Sequence, residues 1–186
     1  MSEKTELERL GETYVSSEKI FDGKILHVFK DRVTLPDGNG AFREIIRHVG
    51  AVCVIPVTEN QEVIVERQFR YPIDQVITEI PAGKLDSKQE DRLLAAKREL
   101  REETGITADS WLDLGEIYPA CAYTDEKLNL YLAQNLHFGA QKLDEDEFLD
   151  FKKVPLSELV EQVMNGEIAD SKTQIAILKA ARHFGI

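Results

Sequence analysis

The run Gly50-Ala-Val-Cys-Val-Ile-Pro-Val57 is nearly all apolar, and it constrains the fold more than any other part of the chain. A strand with one wet face alternates apolar and polar side chains, so an unbroken apolar run is expected where both faces are covered. A second strand follows over residues 62–69 after the turn at Glu59-Asn60-Gln61, and a short β-branched strand is expected over 76–80. Residues 91–104 read as a helix closed by Gly105, the residue type favoured just past a helix end. Three further strands are expected over 112–118, 127–136 and 147–154. Pro155 then starts a helix to about 165, stopped by Gly166. Ser171-Lys-Thr-Gln174 has capping-box form and opens a last amphipathic helix to about residue 183. Strands and helices interleave without a strict βαβ repeat. This predicts an α/β fold over residues 49–186, an α/β/α sandwich around a mixed β-sheet.

The first 48 residues differ in texture. Residues 24–35 and 41–48 are β-rich and bracket Pro36-Asp37-Gly38-Asn39-Gly40, a strong turn signal. Such a hairpin has no core of its own and must pack on something else. Residues 1–48 are therefore expected to form a small N-terminal antiparallel β subdomain.

The chemistry is concentrated in Arg98-Glu99-Leu100-Arg101-Glu102-Glu103-Thr104-Gly105. At about 100° per residue, Glu99, Glu102 and Glu103 fall within an arc of roughly 100° on the helix, beside an apolar stripe of Leu93, Ala96 and Leu100. Like charges at these spacings repel, at a cost of roughly a few tenths of a kcal/mol per pair. They also lie at the helix C-terminus, where the macrodipole disfavours negative charge. A bound divalent cation would remove both objections, and hard oxygen ligands suit Mg²⁺.

Outward from these glutamates the spacing is Gly83, six residues, Glu90, seven residues, then Arg98-Glu99-Leu100-x-Glu102-Glu103-x-Gly105-Ile106. This resembles the Nudix box: glycine, five residues, glutamate, seven residues, then Arg-Glu-aliphatic-x-Glu-Glu-x-Gly-aliphatic. Counted back from Ile106, eight of nine defined positions match. The departure is one extra residue between Gly83 and Glu90, in an expected loop, where an added residue costs little. Glu90 has two readings, as a site residue or as the closing glutamate of a Ser87-Lys-Gln-Glu90 capping box. Arg98, a candidate catalytic residue, would pair with Glu90 or orient the glutamates.

Beyond the box, Arg43-Glu44-Ile45, Gly50-Ala51-Val52, Arg67-Gln68-Phe69-Arg70-Tyr71-Pro72 and Glu79-Ile80-Pro81-Ala82-Gly83-Lys84-Leu85 are similar to segments of bacterial ADP-ribose pyrophosphatases. The resemblance runs from about Ile20 onward. It implies Mg²⁺, with Mn²⁺ as a substitute, held by Glu99, Glu102, Glu103 and the carbonyl of Ala82. It implies a diphosphate or adenosine end held by Arg70 and by Arg43 of the partner subunit, with Glu126 as a further substrate contact. Cys121-Ala122 stands where relatives usually have Pro-Gly. The base is expected from the acidic loop Asp144-Glu145-Asp146-Glu147, with Glu145 aligned to it and Glu147 as a further metal contact. The implied reaction is hydrolysis of ADP-ribose to AMP and ribose 5-phosphate by a homodimer that exchanges its N-terminal subdomain. The competing readings are hydrolysis of another nucleoside diphosphate sugar or a dinucleotide, and a Nudix-like ligand sensor without turnover. Sensors tend to lose box carboxylates and to carry a DNA-binding domain; here the carboxylates are all present.

Composition narrows the partners. The chain has 23 basic and 34 acidic residues, a formal net charge of −11. That argues against nucleic acid, whose binding draws most of its affinity from phosphate neutralisation. No stretch approaches the roughly 20 apolar residues of a membrane helix. The polar start Met1-Ser2-Glu3-Lys4 carries no apolar signal segment, so a cytoplasmic location is expected. Cys53 and Cys121 read as thiols rather than a disulfide scaffold.

Overall fold

The structure is a computed structural model describing residues 5–141 and 148–186. The chain divides into two compact units, residues 1–48 with 120–126, and residues 49–119 with 127–186.

In the first unit a short helix α1 (Glu6–Leu10), capped by reciprocal Thr5 and Glu8 hydrogen bonds, leads into three strands. These are β1 (Thr13–Asp22), β2 (His27–Thr34) and β3 (Gly40–Ile46), all antiparallel in that order. The connection between β2 and β3 falls on the expected turn. Neither α1 nor β1 was expected. Every residue of β1 is exposed, so its sequence carries no inside–outside alternation to read. Residues 120–126 are tied to β3 and its exit: the Ile46 amide donates to the Tyr123 carbonyl at 2.7 Å, and the His48 amide to Asp125 Oδ1 at 2.6 Å. Among the described residues of this unit only Asp31 and Val33 are buried. A sheet with so little interior is marginal by itself.

The second unit holds β4 (Ala51–Pro56), β5 (Glu62–Arg70), β6 (Gln75–Glu79), β7 (Ala82–Lys84), α2 (Arg92–Thr104), β8 (Ile106–Ile117), β9 (Leu128–Phe138), β10 (Leu149–Pro155), α3 (Leu156–Met164) and α4 (Ser171–Phe184). Its strands form two sheets. One is mixed, in the order β7-β4-β9-β8, with β4 and β9 parallel and the other pairs antiparallel. The other, β10-β5-β6, is antiparallel. β4 is buried at every position. Because strand side chains alternate between faces, Cys53 and Ile55 join Leu130, Leu132, Leu159 of α3 and Ile177 of α4. Val52 and Val54 join Leu85 and the α2 residues Ala95, Ala96 and Leu100 on the opposite side. Helices thus cover both faces of the mixed sheet, which is the α/β/α arrangement expected. Each fully buried Ile or Leu contributes roughly 1.5–3 kcal/mol to this packing.

Two helix starts differ from expectation. α2 is capped by Asp91, whose Oδ1 accepts from the Leu94 amide at 2.9 Å, not by the Ser87 box. α4 is capped by Asp170, which accepts from the Thr173 amide at 3.0 Å, not by Ser171. In both cases a carboxylate sits directly before the first helical residue and adds favourable charge at the positive helix end. α2 ends as expected on Gly105, at φ +70. A Cβ there would also lie 2.5 Å from the Gly139 carbonyl oxygen. β8 begins six residues earlier than expected; it is a sheet edge, and its first half is too polar to announce itself. No helix among the described residues is long and apolar enough to cross a membrane.

Candidate active site

The site lies where the short edge strand β7 faces α2. Pairing of Ala82 with Cys53 and of Gly83 with Val52 fixes the backbone of β7 on the buried strand β4. α2 packs through Ala95, Ala96 and Leu100, and this leaves Glu99 and Glu103 turned toward β7. Glu103 is buried, and its Oε2 accepts the Ala82 amide proton at 3.0 Å. The Glu99 carboxylate lies against Gly83, where a Cβ would stand 2.0 Å from Glu99 Cδ. Glycine at position 83 lets the carboxylate occupy the space in which any side chain would begin. Glu102, two residues before the helix end, is more exposed.

Arg98 ties these groups together. Its Nη1 donates to Glu99 Oε1 at 2.6 Å and approaches Glu102 Oε2 at 3.4 Å; its Nη2 stands 3.3 Å from Glu90 Oε1. Burial pulls the guanidinium pKa down, but the charge and hydrogen bond of Glu99, with Glu90 and Asp86 behind, hold it well above its ordinary value. It therefore offsets the mutual repulsion of the helix carboxylates. Glu90 does not cap α2. Its Oε2 accepts the Asp86 amide proton at 2.6 Å and closes the loop ahead of the helix.

Among the described residues no three carboxylate, imidazole or thiolate groups converge closely enough to hold a metal as they stand. Arg98 draws Glu99 and Glu102 to itself, while Glu103 turns to Ala82. The donor chemistry nonetheless fits a hard divalent cation. Two carboxylates from one helix meet one strand edge, over a glycine that leaves them room.

Residues 47–174 match the NUDIX domain family. The chain is a Nudix hydrolase. It is 39% identical over 173 residues to an ADP-ribose pyrophosphatase of Bacillus subtilis, covering 92% of this chain and 93% of that one. It is 40% identical to a methanol dehydrogenase activator of Bacillus methanolicus, over 89% and 90% of the two chains. A GDP-mannose pyrophosphatase of Yersinia enterocolitica is 30% identical over 82% and 85%. A crystal structure of an ADP compounds hydrolase superposes with TM-score 0.83 over 94% of both chains at 22% identity, a likeness of fold. Enzymes of this family generally need a divalent metal and act on small nucleoside diphosphate compounds.

The other expected site residues of this Nudix hydrolase fall into three groups. Arg70, at the end of β5, donates from Nε to Glu79 Oε2 at 2.7 Å. Arg43 and Glu126 belong to the first unit. There Arg43 forms a two-pronged pair with Glu12, and Glu126 lies 3.6 Å from His48 Nδ1. Glu145 and Glu147 lie outside the described residues.

Sequence reasoning missed the group that holds Arg70. Glu79 is only 3% exposed and binds Arg70 through one oxygen and Lys172 of α4 through the other. Lys172 also pairs with Asp170 at 2.9 Å, and Thr173 Oγ1 accepts the Ile80 amide proton at 3.0 Å. Burial lowers the affinity of Lys172 for its proton, but Asp170 and Glu79 outweigh it and the pKa is raised. Arg70 is held up in the same way, by Glu79, Asp170 and Glu103. The available signal was a lysine in the first turn of a helix, where the macrodipole disfavours a cation.

Proposed function

We propose that this Nudix hydrolase cleaves the diphosphate of ADP-ribose with water, giving AMP and ribose 5-phosphate, and that its metal is Mg²⁺. The observation that carries the reading is the pair of carboxylates set on β7, Glu103 on the Ala82 amide and Glu99 over Gly83. Identity to the Bacillus subtilis ADP-ribose pyrophosphatase over nearly the whole chain supports the substrate.

Glu99 and Glu103, with Glu102 and the Ala82 carbonyl, would hold Mg²⁺, which supplies charge neutralisation on the diphosphate when bound. Arg98 orients the carboxylates and limits their repulsion. Arg70, kept charged by Glu79 and aimed by it, binds phosphate oxygens through its remaining guanidinium edge. Arg43 of the partner subunit holds the diphosphate or adenosine end, and Glu126 is a further substrate contact. Glu145 takes the proton of the attacking water, and Glu147 is a further metal contact. The P–O–P bond breaks as the water oxygen bonds phosphorus, and no covalent enzyme intermediate forms. The nearly coreless first unit supports a two-fold homodimer in which this region completes the partner's site.

The test is a substrate panel of ADP-ribose, GDP-mannose and a dinucleoside polyphosphate, run with Mg²⁺, with Mn²⁺ and with neither, and scored by product identity. AMP and ribose 5-phosphate from ADP-ribose at the highest kcat/KM is the expected result. Faster turnover of GDP-mannose would replace the substrate, and binding without turnover of any member would favour the sensor reading. Size-exclusion chromatography with light scattering should give a dimer, and a fully active monomer would remove the swapped arrangement.

A further inference from the structure

On the side of α2 away from Glu99 and Glu103, the helix and β8 line an open cavity of about 360 Å³. That lies within the roughly 300–1,000 Å³ of small-molecule sites. Its wall is divided by chemistry. Leu94, Ala108 and Trp111 supply apolar surface; Lys97, Arg98 and Arg101 supply three cations, and among the described residues no carboxylate lines it. Leu94 is 64% exposed, a large apolar side chain left uncovered at the rim.

The indole is held as a fixed platform. Trp111 Nε1 donates to the Ala108 carbonyl at 3.0 Å, and Tyr131 meets the ring edge-on with centroids 6.4 Å apart. Lys97 Nζ stands 5.8 Å from the ring centroid, so positive charge is gathered beside an aromatic face. In a chain of net charge −11 this is an unusual concentration of cations. Lys97 and Arg101 are one helical turn apart, a spacing at which like charges disfavour the helix. Arg101 in the last turn complements the macrodipole, but that explains neither Lys97 nor the ring beneath it.

We propose that this cavity binds an aromatic phosphomonoester, a nucleoside monophosphate, with its base against Trp111 and its phosphate between Lys97 and Arg101. A flat ring suits the fixed indole and apolar floor, and a dianion suits paired cations without a competing carboxylate. Arg98 lines this cavity and also binds Glu99, so a ligand here touches the residue that orients the catalytic carboxylates. The inference is independent of which diphosphate the enzyme hydrolyses.

Trp111 is the chain's single tryptophan, so its fluorescence reports this cavity directly. The full chain in EDTA is titrated with AMP, adenosine, ribose 5-phosphate and inorganic phosphate, with excitation beyond nucleotide absorption. AMP should change the emission saturably, and adenosine and inorganic phosphate should each bind at least about tenfold more weakly, since a charged contact is lost or left without its ring. Lys97→Ala with Arg101→Ala, both at exposed positions, should raise the Kd for AMP by about tenfold or more. Arg70→Ala should leave the Kd unchanged. The proposal is overturned if AMP gives no saturable change, if the double variant binds like wild type, or if Arg70→Ala abolishes the signal. That last result would place the nucleotide in the hydrolytic site instead.

Discussion

Gly83→Ala separates the chemistry of the site from the stability of the fold. A Cβ at position 83 would stand 2.0 Å from Glu99 Cδ and 2.1 Å from its Oε2. Ordinary carbon–carbon contact is about 3.5–4.0 Å, so the carboxylate must retreat by roughly 1.5–2 Å. The three nearest atoms all belong to that one carboxylate. Gly83 is not among the residues at positive φ, so alanine fits its backbone, and the obstruction is the tip of a flexible side chain. The melting temperature should therefore stay within about 4 °C of wild type, the shift that roughly 1 kcal/mol gives in a chain of this size. Turnover should fall about 100-fold, because a displacement of about 1 Å in a reacting constellation costs that much. The assay is ADP-ribose hydrolysis at saturating Mg²⁺ with AMP quantified by ion exchange, alongside thermal melts. Adding Glu99→Asp, which shortens the side chain by one methylene, should recover part of the loss rather than compound it. Wild-type turnover in Gly83→Ala, or an unfolded protein, would refute the argument.

Glu99→Gln and Glu103→Gln should each lower kcat by about 100-fold or more with the fold intact, as circular dichroism and turnover would show; near-normal rates in both would end their assignment as metal ligands. Lys172→Met removes one of two partners from the buried Glu79 carboxylate and should destabilise by about 1–3 kcal/mol in urea melts at pH 8. Because the Lys172 pKa is raised in the fold above its ordinary 10.5, this contribution is complete below about pH 10.5. It is lost as pH rises through the higher folded value, so the gap between variant and wild type should narrow in strongly alkaline melts. Glu145→Gln should lower kcat sharply while leaving KM and metal affinity nearly unchanged, whereas Glu147→Gln should shift the metal requirement. If both keep wild-type turnover at saturating Mg²⁺, the base lies elsewhere.

What was legible in the chain followed from local signals. β4 was recognisable because six consecutive residues are buried, which leaves no room for a polar side chain. The end of α2 was recognisable because only glycine sits easily at φ +70 against Gly139. The glutamates could be picked out because they break the charge rules of an isolated helix. β1 was hidden for the opposite reason: with both faces exposed, nothing in Thr13–Asp22 had to alternate. The two helix caps were misplaced by a few residues because serine and aspartate both cap well, and the choice depends on where the backbone turns. The Glu79–Lys172 pair could not be read at all. Its members are 93 residues apart, and no local pattern anticipates a contact made by folding.

That same separation bears on how the protein comes into being. Glu79 receives its second partner only when Lys172 has been synthesised and α4 has reached β6. At roughly 5–20 residues per second, the ribosome adds those 93 residues in about 5–19 s. Once Thr104 has been added the box helix is complete, yet the strand bearing Arg70 still lacks the anchor that neutralises its neighbour. A nascent chain can thus display every glutamate of the Nudix box while Glu79, the partner of Arg70, still lacks its second cation. Vectorial synthesis therefore leaves the Glu79 carboxylate with only part of its neutralising charge until the last helix docks.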